Sequence, residues 1–240
     1  MKHPFRSHIL PYFTMGAGGL GLCLRLWLFS AVDEKGLLPQ KHPAEMLLFV
    51  LTGITLLILF LATRKLQPSR LPRKTVRISA AASHVIGGLG LILAAVTDFS
   101  AGVVSLGKVA MIACFVGGLA LFFSAFLIAC KKKPPYWLYA IVTGVLMLDA
   151  VAQCQVWGAV PQLQEYFFPL LATIFSILTA YYATALAARM GNRQHLAFFS
   201  QGALFFCCLS LNTNQWPMYL GLLFWTGVQL FPSLPSEKEG

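Results

Sequence analysis

Over 240 residues, 58% are hydrophobic and only 11% charged, which excludes an ordinary soluble domain, where about a quarter of residues are charged. The mean hydropathy is +0.72, and several separate apolar runs reach the roughly 20 residues that cross a bilayer as a helix. A net charge of +10 does not point to nucleic acid here, because the basic residues sit in short turns between apolar runs, where they orient helices and meet anionic headgroups.

These features predict an all-α fold, a polytopic transmembrane helical bundle of about eight spans forming one domain over 1–240. The first span is expected from Ile9 to Ala31. It is read as retained rather than cleaved as a signal, since Arg25 interrupts the apolar stretch and Phe29 spoils a small-residue cleavage site before Val32. The second runs from Ala44 to Ala62. A basic loop follows, with Arg64, Lys65, Arg70, Arg73, Lys74 and Arg77, in which Pro68 and Pro72 prevent a continuous helix. Spans three and four are expected at Ile78 to Thr97 and Val109 to Cys130. Lys131, Lys132 and Lys133 with Pro134 and Pro135 make a second basic turn. Spans five and six are placed at Tyr136 to Trp157 and Tyr166 to Ala188, before a third basic turn with Arg189, Arg193 and His195. Span seven, Leu196 to Leu211, and span eight, Pro217 to Phe231, are both short, so six spans plus a buried hairpin is the alternative.

The distribution of charge orients these spans. With both termini cytoplasmic, the inner side collects Lys2, Arg6, the basic loop, the three lysines, Arg189, Arg193 and Lys238. The outer side keeps Lys35, Lys41 and Lys108. Tyr12, Phe13, Tyr136 and Trp137 then fall at the inner interface, and Trp27, Phe29 and Trp157 at the outer one, as an aromatic belt does.

Small residues mark packing faces. Span six carries Ala172, Ser176, Ala180, Thr184 and Ala188; span four carries Ala110, Ala113, Gly117, Ala120 and Ser124. Gly18 to Leu24 (GGLGLCL) in span one resembles Gly87 to Leu93 (GGLGLIL) in span three, and the same shift lays span two over span four. That pattern is consistent with a duplicated helical hairpin, a parallel repeat of the kind known in transporters. Gly16 to Gly21 formally matches G-x-G-x-x-G, but a dinucleotide site needs a strand before it and a soluble helix after it. Helix packing is the better account. The six cysteines show no CxxC spacing and lie mostly in apolar runs, so no disulfide framework, zinc site or other metal is expected.

Ionisable groups at membrane depth carry the functional information, each costing about 2.5–3.5 kcal/mol on insertion scales. Asp149 lies in span five about 12 Å of helix rise before Trp157, too deep for a short side chain to reach headgroups. Gln153, one turn on, shares its face. Asp149 therefore looks into the bundle or a wet cavity, either as a packing residue or as part of a site. Arg25 shares a face with Gly18 and Gly21; it either snorkels outward or pairs with Asp149, a combination suited to a zwitterionic or anionic solute. Asp98 lies near the same outer surface and either joins the site or pairs with Lys108 across a short turn. His84 in span three is read as a polar helix–helix contact. Haem would need a second histidine at matching depth, and His195 sits at the membrane edge. No HExxH, Gly-x-Ser-x-Gly, paired intramembrane carboxylates or Walker sequence occurs, so no catalytic residues, enzyme activity or cofactor are expected.

Leu24 to Leu28 (LRLWL) followed by Asp33 to Pro39 (DEKGLLP) resembles uncharacterised multi-span membrane proteins of anaerobic Gram-positive bacteria. The similarity covers the first two spans and their loop, implies a bacterial cytoplasmic membrane, and brings no functional residues. The leading expectation is a small-molecule carrier or solute-binding membrane protein, its site formed by Asp149, Arg25, Gln153 and Asp98. The alternative is a non-catalytic anchor whose basic loop (Arg70, Arg73, Lys74, Arg77) docks a cytoplasmic protein partner or anionic lipid. A quinone-binding anchor subunit, suggested by helix number and His84, is the third. Expected partners are the bilayer, a small polar solute and a cytoplasmic protein, with no nucleic acid.

Overall fold

A computed structural model describes residues 9–31, 42–64, 73–100, 105–157 and 166–229, without the side chains of 73–74, 98–100, 105–106 and 156–157. The described residues form eight α-helices: α1 (Ile9–Ser30), α2 (Pro43–Thr63), α3 (Arg73–Ser100), α4 (Ser105–Ala129), α5 (Tyr136–Trp157), α6 (Phe167–Ala187), α7 (Arg193–Leu209) and α8 (Trp216–Val228). A 3-10 turn, Ser210–Asn212, closes α7. Seven of the helices are long and apolar enough to cross a membrane, α7 counted together with its closing turn. The chain is thus a polytopic helical bundle of about eight spans. With 13 residues, α8 rises only about 20 Å.

The helix ends follow local chemistry. Pro43 opens α2 behind His42, whose Nδ1 accepts from the Ala44 amide at 3.3 Å. The His42 ring also meets Trp27 edge-on at 5.4 Å, tying the end of α1 to the start of α2. Asn192 caps α7 by accepting from the Gln194 amide at 2.9 Å. Two of the basic turns end their helices by one device. Lys131 and Arg189 both take the left-handed conformation, with φ of 60° and 63°. Behind them, the Lys132 amide donates to the Leu127 carbonyl at 2.9 Å and the Met190 amide to Ala185 at 2.8 Å. These are Schellman closures with a cation where glycine is usual.

Several boundaries differ from the sequence expectation by a few residues (α4 starts at Ser105 rather than Val109, α7 at Arg193 rather than Leu196), most of all at α3. The basic loop was read through Arg77, but α3 starts at Arg73. Pro72 is tolerated just before a helix, and nothing after it breaks one. Arg73, Lys74 and Arg77 therefore lie on the first turns of α3, which extends past the apolar run that hydropathy detects.

Packing is uneven. Each of α3 to α8 packs on the next and α8 returns to α3, closing a ring of six; the α1–α2 hairpin attaches to it through α7. In α7, 72% of the spanning window is buried, against 33% to 50% in the other six spans. Phe205, Phe206, Cys207 and Leu209 of α7 and Trp225, Tyr219 and Met218 of α8 fill the core. By contrast, α2 exposes Met46, Phe49, Val50, Ile54 and Leu57, an apolar face suited to lipid. The Gln194 side chain reaches the Arg64 carbonyl at 3.5 Å, so the turn after α2 and the turn before α7 share one end of the bundle, here called the basic end.

Candidate functional site

At the far end of the bundle five helices bring polar groups together. Asp149 and Gln153 stand one turn apart on α5 and share a face because residues four apart are helix neighbours. Both are buried, Asp149 to 3% exposure, and the Gln153 amide nitrogen donates to Asp149 Oδ2. Tyr219, one turn into α8, points its hydroxyl at the Gln153 carbonyl oxygen at 3.4 Å. The same hydroxyl lies 3.4 Å from Thr173 Oγ1 and 3.5 Å from the Pro169 carbonyl of α6. Hydroxyl hydrogen bonds are usually near 2.7–2.8 Å, so three partners hold Tyr219 loosely and none holds it tightly. Thr173 meanwhile donates its own proton to the Pro169 carbonyl at 3.1 Å.

Arg25 completes the group from α1. It is 2% exposed, so its guanidinium does not snorkel. Its Nη1 donates to the Leu209 carbonyl at 2.6 Å. That carbonyl belongs to the last turn of α7, where unsatisfied carbonyls and the helix dipole favour a cation. The guanidinium also sits 5.4 Å from the Phe29 ring centre and 5.8 Å from that of Phe168, within cation–π range. Arg25 and Asp149 both act electrostatically on the Tyr219 hydroxyl. A buried cation and a buried carboxylate therefore flank one tyrosine. An ionised carboxylate at this depth is expensive unless hydrogen-bonded and balanced by opposite charge, and Gln153 and Arg25 supply both.

Sequence reasoning grouped Arg25, Asp149 and Gln153, and the structure puts all three in this neighbourhood. It did not find Tyr219, Thr173 or the Leu209 carbonyl. An aromatic near a span end reads as interface belt, and a threonine in a helix reads as self-satisfied. The Asp98 side chain lies outside the described residues, as do Arg70 and the side chains of Arg73 and Lys74; Arg77 is half-buried on α3.

A second polar group lies toward the basic end. His84 Nδ1 is 2.7 Å from the Ala80 carbonyl one turn back. Its Nε2 is 3.0 Å from the Tyr139 hydroxyl of α5 and 3.4 Å from the amide nitrogen of Gln229, just beyond α8. Tyr139 and Trp225 meet the imidazole edge-on at 5.8 Å and 6.3 Å. His195 instead meets Tyr182 edge-on near the start of α7. Among the described residues, no three His, Cys, Asp or Glu side chains gather as metal ligands would. Three buried side chains have polar atoms with no hydrogen-bond partner among the described residues: the Thr52 hydroxyl, the Trp225 indole nitrogen and both amide atoms of Gln201.

No family model, curated protein or solved structure matches the chain.

Proposed function

We propose that the chain is a small-molecule carrier or solute-binding integral membrane protein with its polar site at the far end of the bundle. The observation that carries this function is the buried gathering of Arg25, Asp149, Gln153 and Tyr219 from three helices. Buried charges inside a membrane bundle mark solute or ion sites by default. A cation and a carboxylate about one loosely held hydroxyl match the two ends of a zwitterion, or an anion displacing the carboxylate's share of Arg25. By the positive-inside rule the basic end is cytoplasmic, so the site faces outward and both termini lie inside. The resemblance of the first two spans supports a bacterial plasma membrane as the setting.

The Arg25 bond to Leu209 favours the rival, a non-catalytic anchor in which the polar group only joins helices and the basic loop docks a partner protein or anionic lipid. Thermal unfolding of the full chain in nanodiscs, with a panel of zwitterionic amino acids and short carboxylates, separates the two. A carrier is stabilised by some member of the panel, and Asp149→Asn and Tyr219→Phe each lose that stabilisation while still folding. If no member stabilises the wild type, or Asp149→Asn responds equally, the solute site is wrong. Loss of partner or lipid binding on neutralising Arg70, Arg73 and Lys74 would then identify the anchor.

A further inference from the structure

His84 and its neighbours have no part in the site above, yet they sit inside the same six-helix ring. Two helices serve both groups: α5 supplies Tyr139 at one end and Asp149 at the other, and α8 supplies Tyr219 and, at its C-cap, Gln229. Ten residues separate the members of each pair, about 15 Å along either axis.

Donor and acceptor rules settle the protonation of the imidazole. The Ala80 carbonyl can only accept, so Nδ1, 2.7 Å away, carries a proton. In the neutral ring Nε2 is then bare, and it accepts from the Tyr139 hydroxyl at 3.0 Å. The Gln229 amide nitrogen, itself only a donor, faces the same lone pair at 3.4 Å. A second proton on Nε2 would turn an acceptor into a donor. Tyr139 can answer by rotating its hydroxyl hydrogen away. Gln229 cannot, because N–H would face N–H until the amide turns over to present its oxygen.

We propose that His84 Nε2 is a proton-binding station in the interior of the helix ring, and that protonation there is read by the end of α8 through Gln229. The groups facing the ring are Ala80 of α3, Tyr139 of α5, and Trp225 and Gln229 of α8. From α4, Leu121 packs one turn away against Gly87 and brings no charge. Among the described side chains, the cations at this end are Arg77, two turns back on α3, Lys131, Lys132 and Lys133 beyond α4, and Arg64, Arg189 and Arg193 around the turns after α2 and before α7. A proton is thus the coupling ion that the second station would take, and its coupling to solute rests on the carrier function proposed above.

The test is nitrogen NMR of the full chain in lipid nanodiscs, with labelled histidine and glutamine side chains, taken from pH 8 to pH 4. His84→Gln assigns the imidazole signals and Gln229→Leu the amide. The expected result has His84 at pH 8 with its proton on Nδ1, then one added proton on acidification. The Gln229 amide should shift with the same midpoint, and Tyr139→Phe should move that midpoint by about half a pH unit or more, as loss of one hydrogen bond does. A proton on Nε2 at pH 8, a ring still neutral at pH 4, or a titration that leaves Gln229 unmoved would each overturn the proposal. Asp149→Asn keeps the titration, so a failed solute site and a failed proton station give different results.

Discussion

The two glycine motifs, GGLGLCL in α1 and GGLGLIL in α3, have nearly the same letters and different surroundings. In α3 all three glycines are in close contact. A Cβ on Gly90 would lie 2.6 Å from Gly221 Cα and 2.7 Å from the Pro217 carbonyl of α8. One on Gly88 would lie 2.8 Å from the Gly118 carbonyl of α4. Backbone meets backbone on two sides, which is how small residues bring membrane helices together. In α1, Gly18 and Gly21 face side chains of α7, Cys208 and Leu209, and Gly19 has nothing within 4 Å. The α3 motif is clamped between two neighbours, whereas the glycines of the α1 motif meet α7 alone, and chiefly through side chains.

The lesson extends to the suspected duplication. Shifting by the motif spacing lays Gly18 on Gly87 and Gly21 on Gly90, and the buried faces overlap, although α3 also buries His84, Gly88, Leu91 and Ala95. Their partners do not. Helix α1 packs on α7 and α3 on α8, and these two partners run in opposite directions. A repeated helical hairpin therefore does not extend to a repeated packing scheme. The chemistry also diverges at Arg25, whose counterpart in α3 is Ala94.

Substitutions can break this contrast, beginning with the most disruptive. Gly90→Ala should cost about 3 kcal/mol or more, at the upper end of overpacking penalties, because neither backbone can retreat. Chemical or steric-trap unfolding in bicelles measures it; a loss below about 1 kcal/mol would show that α3 and α8 are not clamped as described. Arg25→Met comes next, at about 2 kcal/mol, since it removes a charge-assisted bond to the end of α7. A circular-dichroism melt checks this, and an unchanged midpoint would remove the capping role. Gly21→Ala should cost about 1 kcal/mol or less, because the atom it meets is the far end of the Leu209 side chain, which can rotate. Equal losses for Gly21→Ala and Gly90→Ala would erase the distinction between the motifs. Smallest is Gly19→Ala, expected to be neutral or stabilising by up to about 1 kcal/mol through helix propensity; clear destabilisation would reveal a partner on that face.

How much of this was legible depends on which physical effect each residue obeys. Arg25 and Asp149 stood out because charge at membrane depth is costly wherever it occurs. Gln153 followed from helix periodicity. Tyr219 did not, because its significance lies in what residues of α1, α5 and α6 place around it. Helix α7 shows the limit most clearly. It carries Gln201, Ser200 and Arg193, and its spanning window has mean hydropathy 1.3 against 2.6 for α2. Its short apolar run made it, with span eight, a doubtful span, yet it is the most buried of the seven long spans.

From the sequence alone came the membrane, the helices and the basic turns, because transfer of backbone and side chains into hydrocarbon is a local cost summed along each segment. Tertiary structure alone decided that α7 and α8 form the core, that Arg25 ends on the Leu209 carbonyl, and that His84 meets Tyr139 and Gln229. Lipid is as apolar as a leucine side chain, so hydrophobicity gives membrane helices little reason to prefer one another. Their arrangement is set by close packing and polar contacts between residues distant in the chain, and no single segment contains both halves of such a contact.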